Sequence, residues 1–457
     1  MPDSASRPGD GNGQQYELPD EYGPARQPRR ARAETGPSVV VRPVDATAVL
    51  VSDDLTAKRA LSRASQQPRS PWVWRSIAIV VVIAFAPVVW SYVDALRAPG
   101  TDSIGVRTVD WVRDHGGNDI VNTIDRWWNT NNPPAVGGEP PKLAVQETRP
   151  GVVAAPVIPA YVPASAPTPP IQQLEPPTAR VPTPAPVVEQ NEGVWQATGR
   201  TVGGMPAVYT TYVRPDAEHT SYYTGLMWLD TKLLRASYVV GTQEPGGGPN
   251  AWGSKIPGSL RPSAVAAFNS GFAMEDARGG AWLDGRTIKP LVDGLASLVI
   301  RKDGSTSVGV WGRDFAMGPD IRAVRQNLEL LVDNGRVNPE VRENDTGAFE
   351  STVGNRVLVW RSGVGVDANG GLIYAGGPAM SLHSVARTLH NAGAVRAMAL
   401  DIDRDSVSAY TYVPRDADTG SETVGVKLLD EMARGGDRYL RSGERDFFAF
   451  IADPKFL

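Results

Sequence analysis

The stretch Trp360–Asp405, WRSGVGVDANGGLIYAGGPAMSLHSVARTLHNAGAVRAMALDIDRD, constrains the fold more than any other part of the chain. Its pattern predicts strand, hairpin, strand, helix, strand. Asn369-Gly370 lies between two apolar runs, and this dipeptide accepts the positive φ that a tight turn needs. Ser381 carries a hydroxyl able to accept an amide of a helix's first turn. Leu382, Val385, Ala386 and Leu389 follow at helical spacing. Gly393 stands where a left-handed residue ends a helix, and 395–403 reads as the closing strand. Alternation along that strand puts Arg396, Met398, Leu400 and Ile402 on one face. Val395, Ala397, Ala399, Asp401 and Asp403 take the other. Two residues of strand rise roughly 6.6 Å, so Asp401 and Asp403 have the spacing of a carboxyl pair flanking one bond. A strand end running into a solvated acidic turn gives the same pattern, and spacing alone favours that reading.

The 457 residues allow up to about three domains. A net charge of −4 gives no reason to expect nucleic acid as a partner. The absence of cysteine excludes disulfides and thiolate chemistry. Four histidines argue against a multi-histidine metal centre, and neither a metal nor another cofactor is expected.

Residues 1–70 are rich in Pro, Gly, Ser, Arg and Asp and read as a disordered tail. Within 72–93, the run SIAIVVVIAFAPVVWSYV carries no charge and is long enough to cross most of a ~30 Å hydrocarbon core as a helix. Trp72, Trp74, Trp90 and Tyr92 mark its ends. Lys58, Arg59, Arg63, Arg69 and Arg75 precede it, whereas Arg97 follows it beside Asp94, so the tail is expected in the cytoplasm and the rest outside. The chain is thus expected at the cell membrane as a single-pass protein. Residues 99–132 hold two short amphipathic patterns broken at Gly116-Gly117, with Ile120, Val121, Ile124, Trp127 and Trp128 on one face. Residues 133–191, dominated by Pro, Ala, Val and Thr, read as a semi-rigid polyproline spacer. From 192 to 457 the composition is that of one mixed α/β (α+β) domain built on a multi-stranded mixed sheet. Its runs include 207–214, 263–268, 296–300 and 356–366, with a helix expected near 428–433.

Four features could carry chemistry. Asn269-Ser270-Gly271-Phe272 ends an apolar strand, where a small residue permits close backbone approach to a ligand or a bulge. Arg361 lies among apolar strand residues and wants an anion, either a ligand phosphate or a structural partner such as Asp401. The third feature is the Asp401/Asp403 pair. The fourth is the loop 243–248, including Glu244, which could cover a site. An EF-hand calcium loop starting at Asp401 fails at Ser406 and Tyr412. Ser381 or Ser384 with His383 or His390 lacks a nucleophile-elbow pattern.

Taken together, these motifs resemble the phosphodiester glycosidase domain family, which is related to the mammalian uncovering enzyme. The resemblance runs from Ala264 to Asp403. It rests on Asn269-Ser270-Gly271-Phe272, on Leu331, Val332 and Gly335, on Arg361 and Gly365, and on Gly393-Ala394 with Leu400-Asp401. Ile402-Asp403-Arg404 stands where the family has glycines. With its anchor and spacer, the chain looks like a membrane-anchored actinobacterial branch. The resemblance implies hydrolysis of a sugar-1-phosphodiester, with an envelope glycan as substrate. Asn269, Gly271, Arg361 and Glu244 would bind it, and Asp401 would act as nucleophile, base or acid. Asp403 is its partner on the strand-spacing argument alone. The alternative is a noncatalytic glycan-binding or envelope-assembly module on the same fold, and no protein partner is legible.

Overall fold

The computed structural model describes residues 71–97, 102–140, 173–246, 252–341, 358–415 and 423–456. The tail 1–70, much of the spacer and Gly247-Gly248 lie outside the described residues. The chain divides into two compact units, Met1–Ala78 and Ile79–Leu457. The tertiary contacts below belong to the second.

Helix α1 spans Pro71–Arg97 and contains Pro87. Among the described residues no helix is long and apolar enough to cross a membrane. In α1 the side chains are described without a break only from Val82 onward. Helix α2, Ile104–Asp114, starts where the Ser103 hydroxyl accepts the Val106 amide, and α3 spans Asn118–Asn131. The Trp111 ring packs edge-on against Tyr92 at 5.1 Å, and its Nε1 donates to Ser91 Oγ. On α3, Ile120, Ile124, Trp127 and Trp128 are exposed, while Val121, placed on the same face by periodicity, turns inward.

The domain holds β1 Gln196–Val202, β2 Met205–Val213, β3 Thr224–Leu229, β4 Leu234–Val239, β5 Ala264–Asn269 and β6 Ala281–Leu283. There follow β7 Arg286–Lys289, β8 Ala296–Arg301, β9 Thr306–Val310, β10 Ile321–Gln326, β11 Leu330–Asp333 and β12 Arg336–Val337. The last six are β13 Val359–Asp367, β14 Leu372–Met380, β15 Ala394–Ile402, β16 Ala409–Pro414, β17 Thr423–Lys427 and β18 Phe447–Ala452. They form an eight-stranded sheet, β1-β2-β3-β14-β13-β15-β11-β12, and two five-stranded sheets, β7-β6-β10-β8-β9 and β17-β16-β5-β18-β4. Each of these pairings whose register is described is antiparallel, so the architecture is α+β.

Leu229, Phe268, Leu298, Tyr374, Leu400 and Phe450 meet in the core shared by the sheets. Helix α4, Leu382–Asn391, covers the other face of the large sheet. Ser381 Oγ accepts the Ser384 amide at 3.0 Å as its cap, and Gly393 ends it at φ 100°. Val385 and Leu389 of α4 rest on Ala397 and Ala399, which explains the small side chains of that strand face. Gly363 permits the contact, since a Cβ there would lie 2.8 Å from Val385 Cγ1.

Two expectations are corrected. Residues 428–433 form turns rather than a helix. Leu429 and Met432 are drawn into the core and Gly435-Gly436 stand just beyond the segment, leaving too few residues to offset helix nucleation. The described end of the spacer, from Gln173, is not free of the domain: Leu174, Val181 and Ala185 are buried, and Asp230 accepts the Leu174 amide at 2.8 Å.

Candidate active site

Asp401 lies near the end of β15, and its backbone is clamped from β13. Ser362 Oγ donates to the Asp401 carbonyl and accepts the Asp401 amide, both at 3.1 Å. Asn269 Nδ2 donates to Ser362 Oγ at 3.0 Å, and Asn269 Oδ1 accepts from the Tyr374 hydroxyl and the Ser408 amide. Asn269 therefore reaches the site only through Ser362, as a buried support. Asn327 Oδ1 accepts the Phe272 amide, and Asn327 Nδ2 donates to the carbonyls of Ala399 and Leu400. A Cβ on Gly271 would sit 2.9 Å from that Asn327 side chain, so only glycine lets the loop lie against the strand of Asp401.

The cation on Asp401 is Arg445, not Arg361. Arg445 Nη2 lies 2.7 Å from Asp401 Oδ2 and donates to the Gly271 carbonyl at 3.1 Å. Arg361 is buried, and its Nε donates to the Met380 carbonyl at 2.9 Å. Burial pushes its pKa down to about 9. Asp401, Asp403, Glu244 and Arg445 share the wall of one open cavity of about 2300 Å³, a wall in which Arg361, Asn269 and Gly271 take no part. Glu244 Oε2 accepts the Met274 amide at 3.0 Å. Ser381 and Ser384 are engaged in the α4 cap, and His390 contacts the Gly335 carbonyl, so these residues form no triad.

Burial pushes the Asp401 pKa up to about 6, with Arg445 opposing the rise and Asp403 adding to it. Asp403 is also raised, by burial and Asp405, with Arg113 opposing. Asp403 lies just beyond the strand and adopts φ 100°, a left-handed conformation that favours glycine. An aspartate held in that conformation carries a strain of about 1–3 kcal/mol. We expect Asp403→Gly to stabilise the fold by about 1 kcal/mol in chemical denaturation while lowering activity.

Helix α2 closes one side of the cavity. Asp102, just before it, contacts Arg441 Nη2 at 2.5 Å and accepts the Gly435 amide at 2.7 Å. Asp110 pairs with Arg434, and Arg113 lies 3.6 Å from Asp403 and 3.9 Å from Asp405. Burial, a hydrogen bond with Asp114 and the nearby Asp110 push Glu444 up to about 8. The folded state therefore holds a proton that the unfolded chain releases near 4.5. This contribution to stability is full below about 4.5 and is lost as pH rises to about 8. Thermal unfolding of Glu444→Gln across that window should show a flatter pH profile than wild type.

Residues 262–401 match the family model for phosphodiester glycosidase. Among solved structures, the chain is similar to the catalytic domain of zebrafish N-acetylglucosamine-1-phosphodiester alpha-N-acetylglucosaminidase, auto-inhibited by its pro-peptide. That similarity has 17% identity and a TM-score of 0.36, covering 56% of this chain and 87% of that one. A hypothetical protein from Synechocystis gives 12% identity, a TM-score of 0.30 and coverage of 56% and 64%. A putative exported protein from Burkholderia pseudomallei gives 13%, 0.29, and coverage of 50% and 74%. No curated protein matches the chain. Arg445 and α2 both lie outside the matched segment.

Proposed function

With residues 262–401 belonging to the phosphodiester glycosidase family, we propose that the chain hydrolyses a sugar-1-phosphodiester of an envelope glycan. The carrying observation is the convergence of Asp401, Asp403 and Arg445 on the wall of one open cavity. Breaking the sugar C1–O bond leaves the electron pair on a phosphate oxygen, so the leaving group goes from one negative charge to two unless a proton arrives. Arg445 is placed to meet that charge through a fork suited to phosphate. Asp401, whose pKa of about 6 keeps part of it protonated near neutrality, supplies the proton. Asp403 is the second carboxylate, facing the oxocarbenium-like carbon or the incoming water. Anion binding deepens this division of labour. A phosphodiester that engages Arg445 removes the cation opposing Asp401 protonation and adds a negative charge beside it.

The decisive experiment is hydrolysis of model sugar-1-phosphodiesters by the full chain in isotopically labelled water. A phosphate product free of label marks cleavage of the glycosidic bond, because the sugar's anomeric oxygen exchanges with water and phosphate oxygens do not; label in the phosphate would assign a phosphodiesterase instead. A second reading, glycan binding without turnover, is favoured by Arg113 seated against Asp403 and Asp405. Saturable glycan binding with no product, unaffected by Asp401→Asn, would establish it.

In this proposal the domain is held outside the cell membrane, with α1 as a single-pass anchor and the N-terminus in the cytoplasm. Support comes from the exposed side chains of Ile79, Val80, Val82, Ile83, Phe85 and Val89, which water does not favour. Retention of the full chain in the membrane pellet after alkaline carbonate extraction is the expected result. Release into the supernatant would remove the anchor.

A further inference from the structure

We infer that Arg113, on the last turn of α2, is a substrate-binding residue that makes the site selective for a phosphodiester over a neutral glycoside. The inference rests on the hydrolase reading for its substrate class, but it assigns a residue far outside the segment that carries the family match.

The cavity wall presents Asp401, Asp403 and Asp405, and Arg445, 2.7 Å from Asp401, has that carboxylate to balance as well as any bound phosphate. An anionic diester entering there meets like charge unless a second cation answers it. Arg113 lies on the same wall, 3.6 Å from Asp403 and 3.9 Å from Asp405. A guanidinium at that point can bridge a carboxylate and a phosphate oxygen, because its fork presents several donors in one plane. Arg445 and Arg113 lie far apart in the sequence, so they line one cavity only when α2 is seated against the sheet domain.

Arg113 is not alone in seating α2. Asp102 holds Arg441 and the Gly435 amide at the start of the helix, and Asp110 holds Arg434 one turn before its end. On its other side Trp111 packs on Tyr92 and bonds Ser91. The pairs of Arg113 with Asp403 and Asp405 add to these contacts and also set its guanidinium on the cavity wall. It has a clear use if an anion binds there.

The test uses the full chain and two probe classes: methyl phosphodiesters of α-glucose-1-phosphate and α-N-acetylglucosamine-1-phosphate, and the 4-nitrophenyl α-glycosides of the same sugars. Arg113→Gln should raise KM, and the calorimetric Kd, for the phosphodiesters by about 10- to 100-fold, the scale of one charge-assisted contact. It should move the neutral glycosides less than about threefold, and Arg113→Lys should recover part of the loss because charge returns without the fork. An equal effect on charged and neutral probes would reduce Arg113 to a structural contact and overturn the inference, as would an unchanged phosphodiester Kd. Phosphodiester binding without hydrolysis overturns the hydrolase reading alone, since the Kd comparison still reads Arg113. Absence of phosphodiester binding by the wild-type chain overturns both.

Discussion

Asp401→Asn should lower kcat on a sugar-1-phosphodiester by roughly 100- to 10,000-fold, the range for loss of a positioned proton donor. The substitution keeps the side chain's shape and leaves the Ser362 clamp intact, because Ser362 bonds only the Asp401 backbone. What goes is the titrating proton and the charge facing Arg445. Wild-type kcat/KM should fall as pH rises through about 6, because the acid must be protonated and burial sets its pKa there. In kcat the same limb should lie at higher pH, since bound phosphodiester draws Arg445 away and adds negative charge. The variant should lack this limb. Stability should move the other way. A carboxyl whose pKa is raised on folding contributes fully below its unfolded value near 3.8, and that contribution is lost as pH rises through about 6. Asparagine escapes the loss, so the variant should melt no lower than wild type at neutral pH. A turnover change under threefold, with an unaltered pH profile, would remove Asp401 from the chemistry.

What the sequence disclosed about this site follows from how far each signal reaches along the chain. The run from β13 to β15 was readable because its signals are local: a turn at Asn369-Gly370, a cap at Ser381, a helical stripe, and a left-handed end at Gly393. The small residues before Asp401 were legible as a pattern, and α4 supplies their reason. Strand β18, FFAFIA, escaped because it lies inside its sheet, between β5 and β4, and is buried on both faces, so it shows no alternation. Arg361 misled. A guanidinium in an apolar strand does need an acceptor, but a backbone carbonyl, that of Met380, fills part of the need. Arg445 sits in Ser-Gly-Glu-Arg-Asp, which reads as a solvated loop, and only the pairing of β5 with β18 carries it to Asp401. In the chain's own residues the left-handed backbone of Asp403 has no mark, although the family resemblance places glycines at that point. An aspartate there looks like any acidic turn, and the strain becomes visible only in the dihedral angle.

Beneath the site, Asp446→Ala should cost about 3–5 kcal/mol of folding stability, the scale for a buried charge stripped of its partner. Asp446 Oδ2 lies 2.8 Å from Arg325 Nε and accepts the Tyr238 hydroxyl at 2.7 Å, with both charged side chains at most 2% exposed. Removing the carboxylate leaves the Arg325 guanidinium in the interior and the Tyr238 hydroxyl without its acceptor. At about 2–4 °C per kcal/mol for a domain of this size, the midpoint of thermal unfolding should drop by roughly 10 °C. Replacing both charges, as in Arg325→Met with Asp446→Leu, should restore much of the loss, because the pair's mutual attraction mainly offsets its own desolvation. Activity should not return with stability. Arg325 also holds the Gln326 and Phe272 carbonyls, and the Ser270 amide bonds the Asp446 carbonyl at 3.3 Å. The backbone bond survives the double substitution but the Arg325 bond to the Phe272 carbonyl does not, so a repacked apolar pair loosens the loop whose Gly271 carbonyl positions the Arg445 guanidinium. A single Asp446→Ala variant losing under about 1 kcal/mol in denaturant titration would mean that water reaches the pair and the site floats on a softer base. A double variant regaining stability and turnover together would show that the charge pair serves the fold and leaves the position of Arg445 untouched.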